Sequence, residues 1–268
     1  MDLKESLCIA LDAGMKAGQA IMKVYSSDSF NSSLKADNSP VTEADHKAHH
    51  VISKVLEKSG LPVLSEEGRE VPWTERKKWE SFWLVDPLDG TKEFIKRNGE
   101  FTVNIALVSN TRPVMGIIYA PNDDVMYAGA TSLGTWKLCD YSRKNISGFD
   151  AFIKIADSLP GDLNRKGYSV VASRSHINKE TESFINKLKK DQPDLRIVSR
   201  GSALKFCLVA EGSADVYPRF GPTWEWDTGA GQAIAESAGC SVKVYKDGQD
   251  LRYNREDLLN PWFIVRRN

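Results

Sequence analysis

The stretch from Trp83 to Thr91, with the sequence W-L-V-D-P-L-D-G-T, constrains this chain more than any other part of it. Its apolar beginning is typical of a buried strand. Asp86 ends the apolar run, and Pro87 holds Asp86 in an extended conformation and prevents further strand pairing. The aspartate and glycine that follow turn the chain, so that Thr91 opens the next segment. The stretch therefore predicts a strand whose end presents several oxygen atoms at one point.

That cluster of oxygen atoms is suited to a hard divalent cation such as Mg2+, which takes carboxylates and carbonyls and keeps waters and substrate phosphates as its other ligands. The candidate donors are the side chains of Asp86, Asp89 and Thr91 and the carbonyl of Leu88. An ordinary acidic turn is the alternative, but the whole string fits one geometry better than D-P or D-G alone would. Phosphatases with an aspartate nucleophile carry D-x-D-x-T, and the spacing here is three residues instead of two.

Three further acidic residues, at two places in the chain, lie outside this stretch. Residues 61–64 predict a short strand that leads into Glu66 and Glu67. Adjacent glutamates in a charged loop are usually only solvated, but these come one strand before Asp86. Asp227 stands where a helix is predicted to begin, and a simple N-cap there contributes about 1 kcal/mol. The small residues after Asp227 and the helix N-terminus itself also favour an anion at this position.

A second predicted helix begins near Thr42, which caps it, with Asp45 three residues later. This helix carries His46 and His50 at the i,i+4 spacing of a zinc-binding helix. The residue after His46 is Lys47, however, and a zinc hydrolase needs a glutamate there as its base. We therefore expect a solvated helix face.

The order of predicted elements changes near the middle of the chain. A first helix over residues 3–25 is followed by the polar segment 26–39, and strands at 102–108, 114–119, 125–130 and 135–138 predict an antiparallel meander. Residues 139–166 are polar. After them strands and helices alternate, with helices at 178–190, 202–211 and 227–238. We expect an N-terminal α+β domain (1–150) and a C-terminal α/β domain (151–268).

Composition limits the class of protein. The 268 residues include 36 basic and 36 acidic side chains, a balance that argues against nucleic-acid binding by bulk electrostatics. We expect no secretory signal and no integral membrane segment. Four widely spaced cysteines predict reduced thiols in a cytoplasmic protein, with peripheral attachment to the inner face of the cell membrane left open. The oligomeric state is not predicted.

Four motifs together resemble the metal-dependent, lithium-sensitive inositol monophosphatase superfamily. In chain order they are P-V-T-x-A-D (40–45), S-E-E (65–67), W-L-V-D-P-L-D-G-T (83–91) and W-D-T-x-A-G (226–231). The strings at 91–107, 119–121, 173–176, 201–212 and 217–223 resemble the bacterial 3'(2'),5'-bisphosphate nucleotidases within it. The chain departs from those relatives at 225–226. The resemblance implies an α/β (α+β) fold, the layered αβαβα sandwich.

By the same resemblance, Glu66, Asp86 and the Leu88 carbonyl hold one Mg2+, while Asp86, Asp89 and Asp227 hold a second, and two or three ions act together. Three residues of this chain resemble the group that orients and deprotonates the attacking water in that family, namely Asp45, Glu66 and Thr91. Backbone N–H groups of Gly90 and Thr91 would hold the phosphate. The positions that border the substrate would be Glu66, Leu88, Asp89, Gly90, Thr91, His176, Ser202, Lys205, Arg219 and Asp227.

Ser202 comes three residues before Lys205, which predicts that both lie on one helix face. Lys205 and Arg219 supply the local positive charge that a phosphorylated nucleotide needs. The resemblance implies an Mg2+-dependent hydrolase that removes the 3'-phosphate of adenosine 3',5'-bisphosphate by metal-activated water and is linked to sulfate assimilation. An inositol or sugar monophosphate phosphatase of the same fold, or a non-catalytic nucleotide sensor, are the alternatives.

Overall fold

The computed structural model describes residues 2–27, 32–34, 40–161, 167–172 and 178–268. The helices in these ranges are α1 (Leu3–Tyr25), α2 (Glu43–Leu56), α3 (Trp73–Arg76), α4 (Thr91–Ile95), α5 (Phe149–Ile155), α6 (Lys179–Asp191), α7 (Leu204–Ala210) and α8 (Glu225–Ser237). The strands are β1 (Ser32–Leu34), β2 (Pro40–Thr42), β3 (Val63–Ser65), β4 (Ser81–Asp89), β5 (Thr102–Ser109), β6 (Arg112–Ala120), β7 (Val125–Ala130), β8 (Gly134–Cys139), β9 (Asp157–Ser158), β10 (Ser169–Ala172), β11 (Arg196–Ser199), β12 (Val216–Arg219), β13 (Cys240–Val244) and β14 (Phe263–Arg267).

The larger sheet has seven strands in the order β3-β4-β5-β6-β7-β8-β9. Strands β5 to β8 are joined by short turns and pair antiparallel, which confirms the predicted meander. Strand β3 is parallel to β4, with Ser65 opposite Val85. Both strands therefore end at the same edge of the sheet, and the acidic residues at or just after their ends meet there.

Successive side chains of β4 point to opposite faces of the sheet, as strand geometry requires. Trp83 and Val85 are buried against α1 and α2. Phe82 and Leu84 are buried in a second core with α7 and α8. Because both faces are covered, β4 is apolar along most of its length, and this is why the sequence shows a continuous apolar run there.

The smaller sheet has five strands in the order β11-β10-β12-β14-β13, and it packs on the far side of α7 and α8. Phe206 of α7 stacks on Phe263 of β14, with ring centroids 5.7 Å apart. On the outer face, Ile185 of α6 packs on Val170 and Val216. The layers are therefore α1/α2, the large sheet, α7/α8, the small sheet and α6, which confirms the expected αβαβα sandwich.

Helix α8 lies very close to the large sheet. A Cβ atom added to Gly116 of β6 would lie 2.6 Å from the carbonyl oxygen of Ala230, and one added to Gly129 of β7 would lie 2.7 Å from the Cα of Ile234. Contacts this short leave no room for a side chain. The two glycines therefore fix how closely α8, whose first turn carries Asp227, approaches the edge where β4 ends.

All four cysteines are free thiols, as expected, and Cys207 and Cys240 are buried. Within the described ranges, no helix combines the length and the apolar character that a membrane crossing needs.

Candidate active site

Three carboxylates meet at the edge where β3 and β4 end. Glu66 follows β3, Asp86 lies in β4, and Asp227 reaches the same point from the first turn of α8. Each offers one oxygen atom, and these atoms all lie within 4.8 Å of one another. The sequence prediction that these acids form one group is therefore consistent with the fold.

Burial dominates the electrostatics of this group. Asp86 is 1% exposed, and burial raises the pKa of its carboxyl well above the ordinary value, with further contributions from Glu66, Asp89, Asp227 and Asp45. Burial also raises the pKa of Asp227 well above its usual range, and the charge of Asp89 adds to the effect. Carboxylates held this close in a low dielectric resist ionisation together. A divalent cation removes that conflict, and the all-oxygen donor set fits Mg2+.

Strand β4 does not end at Asp86 as predicted. It continues to Asp89, which pairs with Thr102, and the register shifts between Asp86 and Asp89. The irregularity takes up Pro87, whose missing N–H cannot join the ladder, in the manner of a β-bulge. The backbone N–H of Leu88 donates to Oδ1 of Asp86 across 3.0 Å, which fixes the carboxylate against the bulge.

Asp45 is placed by a capping box at the start of α2. Its Oδ2 accepts hydrogen bonds from the backbone N–H of Thr42 at 2.8 Å and from the Thr42 hydroxyl at 2.6 Å. Its Oδ1 accepts from the hydroxyl of Thr91 at 3.2 Å. The Thr91 hydroxyl also lies 3.3 Å from the Leu88 carbonyl. Burial raises the pKa of Asp45 above its ordinary value, while the hydrogen bonds from Thr42 oppose this.

Asp227 is not the residue at which α8 begins. The helix starts at Glu225, so Asp227 is its third residue, and its Oδ2 accepts the backbone N–H of Trp224 across 2.8 Å. An acid in the first turn and an N-cap acid are both favoured by the helix dipole, which is why the sequence alone misplaced the start. Asp45 makes the same contact at α2, so two acids are fixed in the same way.

Asp89 lies beyond the group of three and faces a neighbouring pocket. Its Oδ2 accepts from Nδ2 of Asn104 at 3.4 Å, and the backbone N–H of Ala203 also donates to its carboxylate. Burial raises the pKa of Asp89, while the charge of Lys205 lowers it. Asp89 thus connects the acidic group with the cationic side of the site.

The pocket beside Asp89 contains two cationic side chains, and Asp227 borders it as well. Its lining consists of Asp89, Gly90, Glu93, Gly201, Ser202, Ala203, Lys205, Phe206, Tyr217, Arg219, Thr223, Asp227 and Thr228. Lys205 is only 5% exposed, and burial lowers its pKa to about 8 against the opposing charge of Asp89. Among the described residues, Nε of Arg219 is buried without a hydrogen-bond partner. Both cations are therefore placed to receive an anion.

Ser202 lines this pocket but does not share a helix face with Lys205, because α7 begins only at Leu204. Ser202 has φ +44°, which a non-glycine residue adopts only under local constraint. The Ser202 carbonyl accepts a hydrogen bond from Nζ of Lys205 across 2.6 Å. The two residues are therefore in contact, but not through a shared helix face. His176 lies outside the described residues.

Among the described residues, the side chains close enough together to hold a metal ion are those of Glu66, Asp86 and Asp227, and none of these lies on α2. His46 and His50 are exposed, in agreement with a solvated helix face.

The sequence did not single out three residues of the site. Glu93 and Tyr217 line the pocket, and Asn104 contacts Asp89. Glu93 and Asn104 fall within the string 91–107, so that string was the one available signal for them.

Known proteins resemble this chain over almost its whole length. Residues 2–265 match the model of the inositol monophosphatase family. The 3'(2'),5'-bisphosphate nucleotidase CysQ of Shigella flexneri is 47% identical over 254 residues, which cover 93% of this chain and 94% of that protein. The protein of the same name from Haemophilus influenzae is 36% identical, with coverages of 98% and 91%. The crystal structure of CysQ from Bacteroides thetaiotaomicron, a bacterial member of the same family, is 48% identical with a TM-score of 0.92 and coverages of 99% and 98%.

Proposed function

Because the chain belongs to the inositol monophosphatase family, we propose that it is an Mg2+-dependent 3'(2'),5'-bisphosphate nucleotidase. It hydrolyses the 3'-phosphate of adenosine 3',5'-bisphosphate to give AMP and phosphate, a reaction that clears a by-product of sulfate assimilation. The free cysteines favour a reducing compartment, and we place the enzyme in the cytoplasm. The division into an N-terminal part (1–150) and a C-terminal part (151–268) remains part of this proposal.

The observation that carries the substrate assignment is the continuity of the acidic group with a cationic pocket. Asp89 and Asp227 line the same pocket as Lys205 and Arg219. A substrate with one phosphate at the acids and a second phosphate at the cations uses both halves. A monophosphate would use only the acidic half and would leave Lys205 and Arg219 without a phosphate to bind.

The metal ligands that we propose are Glu66, Asp86 and the Leu88 carbonyl for one ion, and Asp86, Asp89 and Asp227 for a second. The buried and mutually repelling carboxylates support this assignment. When bound, Mg2+ ions supply a water of lowered pKa and neutralise the charge that develops on the leaving oxygen. Two or three ions are compatible with this donor set.

The side chains of Asp45, Glu66 and Thr91 orient the attacking water, whose proton passes to a carboxylate of this group, either directly or by way of the Thr91 hydroxyl. Asp45 and Thr91 are already joined by a hydrogen bond, and the capping box holds the Asp45 carboxylate in place. Such a fixed pair avoids reorganisation during the reaction. Gly90 has φ +93°, and an added Cβ would lie 3.0 Å from the carbonyl oxygen of Glu100, so any side chain at this position would be strained. The turn thereby presents the N–H groups of Gly90 and Thr91 to the phosphate.

The nucleotide portion is held by Ser202, Lys205 and Arg219, with His176 as a further contact. Lys205 is fixed by the carbonyl of Ser202 and lies over the Tyr217 ring, with 5.5 Å from Nζ to the ring centroid. An ammonium group held in a buried position binds a phosphate without first losing side-chain freedom. These contacts are the part of the site that distinguishes a bisphosphate from a monophosphate.

The test compares phosphate release from adenosine 3',5'-bisphosphate and from inositol 1-phosphate, each with Mg2+ and with EDTA. We expect a strong preference for the nucleotide and loss of both activities in EDTA. The variant Lys205→Ala should lose much more activity on the nucleotide than on inositol 1-phosphate. A preference of the wild type for inositol 1-phosphate would overturn the substrate, and no release from either compound would favour a nucleotide sensor.

A further inference from the structure

His49 connects α2 with the turn that carries Glu66. Its Nδ1 lies 2.9 Å from Oγ of Ser65, the last residue of β3 and the neighbour of Glu66 in the chain. The ring is half-buried, and burial lowers the pKa of His49 below its ordinary value, against the charge of Glu67. A neutral imidazole has one N–H and one acceptor nitrogen, so either partner can donate in the bond to Ser65.

The turn from Ser65 to Gly68 is tight and lies against the same histidine. The N–H of Gly68 donates to the Ser65 carbonyl across 3.0 Å. A Cβ atom added to Gly68 would lie 3.1 Å from that carbonyl oxygen and 3.5 Å from Cε1 of His49. The N–H of Glu66 also donates to the Val85 carbonyl at 3.1 Å. The backbone of the turn is therefore fixed at both ends, while His49 holds the side chain of Ser65.

Helix α2 thus contacts both sides of the acidic group. Asp45 and His49 are one helical turn apart and so face the same direction. Asp45 accepts a hydrogen bond from Thr91, after the end of β4, and His49 contacts Ser65, at the end of β3. His50 is the next residue on the helix, but it is exposed. The helix therefore fixes the relative position of the two segments that supply Glu66 and Asp86.

We infer that His49 is a positioning residue for the metal centre: by holding Ser65, it keeps the Glu66 carboxylate in the group with Asp86 and Asp227. This inference rests on the proposed metal site but not on the identity of the substrate. Residues that orient metal ligands without touching the ion typically change metal affinity by about 10–100-fold when they are replaced. An imidazole suits this role because its hydrogen bond to Ser65 holds the ring beside the turn.

The experiment measures Mg2+ binding by calorimetry without substrate, and the Mg2+ concentration for half-maximal activity alongside it. We expect His49→Ala to weaken Mg2+ binding about tenfold. The Mg2+ requirement should rise in parallel, while kcat at saturating Mg2+ changes much less. Ser65→Ala should have the same effect, and the double variant His49→Ala/Ser65→Ala should be no worse than either single variant, because one contact is removed in all three.

Two further variants separate positioning from general stability. His49→Gln, whose amide can still bond to Ser65, should recover most of the Mg2+ affinity. His50→Ala, on the exposed neighbour, should bind Mg2+ like the wild type. Wild-type Mg2+ affinity in His49→Ala and Ser65→Ala, or an equal loss in His50→Ala, would overturn the inference. If the wild type binds Mg2+ but does not hydrolyse the nucleotide, only the proposed substrate fails, because the calorimetric comparison needs no substrate.

Discussion

The hydroxyl of Thr91 donates a hydrogen bond to Oδ1 of Asp45, and the two residues are 46 positions apart in the chain. The other carboxylate oxygen of Asp45 caps α2 through Thr42. One side chain thus completes the capping box at the start of α2 and also contacts the turn after β4. The contact makes the geometry of the proposed water-orienting group depend on the packing of α2 against the large sheet, which the α2 residues Ala44, Ala48 and Ile52 provide.

Replacement of Thr91 by valine keeps the shape of the side chain and removes only its hydroxyl. We expect kcat on adenosine 3',5'-bisphosphate to fall by about 10²–10⁴-fold, the usual contribution of a positioned proton-transfer group. Thr91→Ser keeps the hydroxyl and should retain most of the activity. Steady-state kinetics at saturating Mg2+ measure the effect, and circular dichroism checks the fold. Equal activities of the valine and serine variants would exclude the hydroxyl from the reaction.

Much of this site could be predicted from the sequence because its ligands lie in short local motifs. Asp86 and Asp89 occupy one string, and Thr42 and Asp45 form one capping box. Turn and cap preferences act over a few residues, so a single sequence contains them.

What escaped prediction depends on the tertiary structure. Strand β4 continues past Pro87 because pairing with β5 resumes at Asp89, which no local preference indicates. The positive φ of Ser202 arises where the chain enters α7 beside Thr102, whose hydroxyl donates to Oγ of Ser202 at 3.2 Å. His49 and Ser65 are 16 residues apart, and the histidine belongs to a helix whose other histidines are only solvated.

Asp89→Asn removes one negative charge from the proposed second metal site while keeping the side-chain shape. We expect turnover to fall by about 10³-fold or more, since a lost ligand charge weakens both metal binding and charge stabilisation in the transition state. The fold should remain intact, because an amide oxygen at this position can still accept the hydrogen bonds from Asn104 and Ala203. Asp150→Asn, at an exposed position in α5, is the control. Near-wild-type turnover in Asp89→Asn would contradict the metal assignment.

The metal-free protein should lose stability as pH rises. Folding raises the pKa of Asp86 and Asp227 above their unfolded value of about 4, so their stabilising contribution is complete below that pH and is lost as pH rises through the folded-state values. We expect Mg2+ bound at the proposed site to remove this loss. Thermal unfolding at pH 5, 6, 7 and 8 should therefore show a stabilisation by Mg2+, relative to EDTA, that grows with pH.

The control for this measurement is Asp86→Asn, which cannot ionise at the most buried of the three acids. In EDTA, its melting temperature should decline less with pH than that of the wild type. A stabilisation by Mg2+ that stays constant from pH 5 to 8 would mean that the carboxylates are not the groups to which metal binding is linked.

Gly116→Ala tests the approach of α8 to the large sheet. Its new methyl group would lie 2.6 Å from the Ala230 carbonyl oxygen, and the backbone of a packed helix cannot move aside cheaply. We expect a loss of about 1–3 kcal/mol in the free energy of unfolding, as for other overpacked cores. Gly161→Ala is the matched control, since its Cβ would meet only the Glu211 carbonyl oxygen at 3.9 Å. Equal unfolding midpoints in urea for the two variants would contradict the tight packing.

Lys205 should give the nucleotide reaction an alkaline limit. Burial lowers its pKa to about 8, so the side chain is cationic below that pH and neutral above it. In the free enzyme, kcat/KM for adenosine 3',5'-bisphosphate should therefore decline above pH 8, by up to about tenfold per pH unit, because the second phosphate loses its ammonium partner. Lys205→Arg keeps its charge throughout this range and should flatten the decline, although its bulkier head group lowers the rate at pH 7.

Inositol 1-phosphate is the control substrate, because it has no second phosphate. Its kcat/KM should show no decline above pH 8 with either the wild type or Lys205→Arg. An identical alkaline decline for both substrates would place the titrating group at the metal centre and not at Lys205.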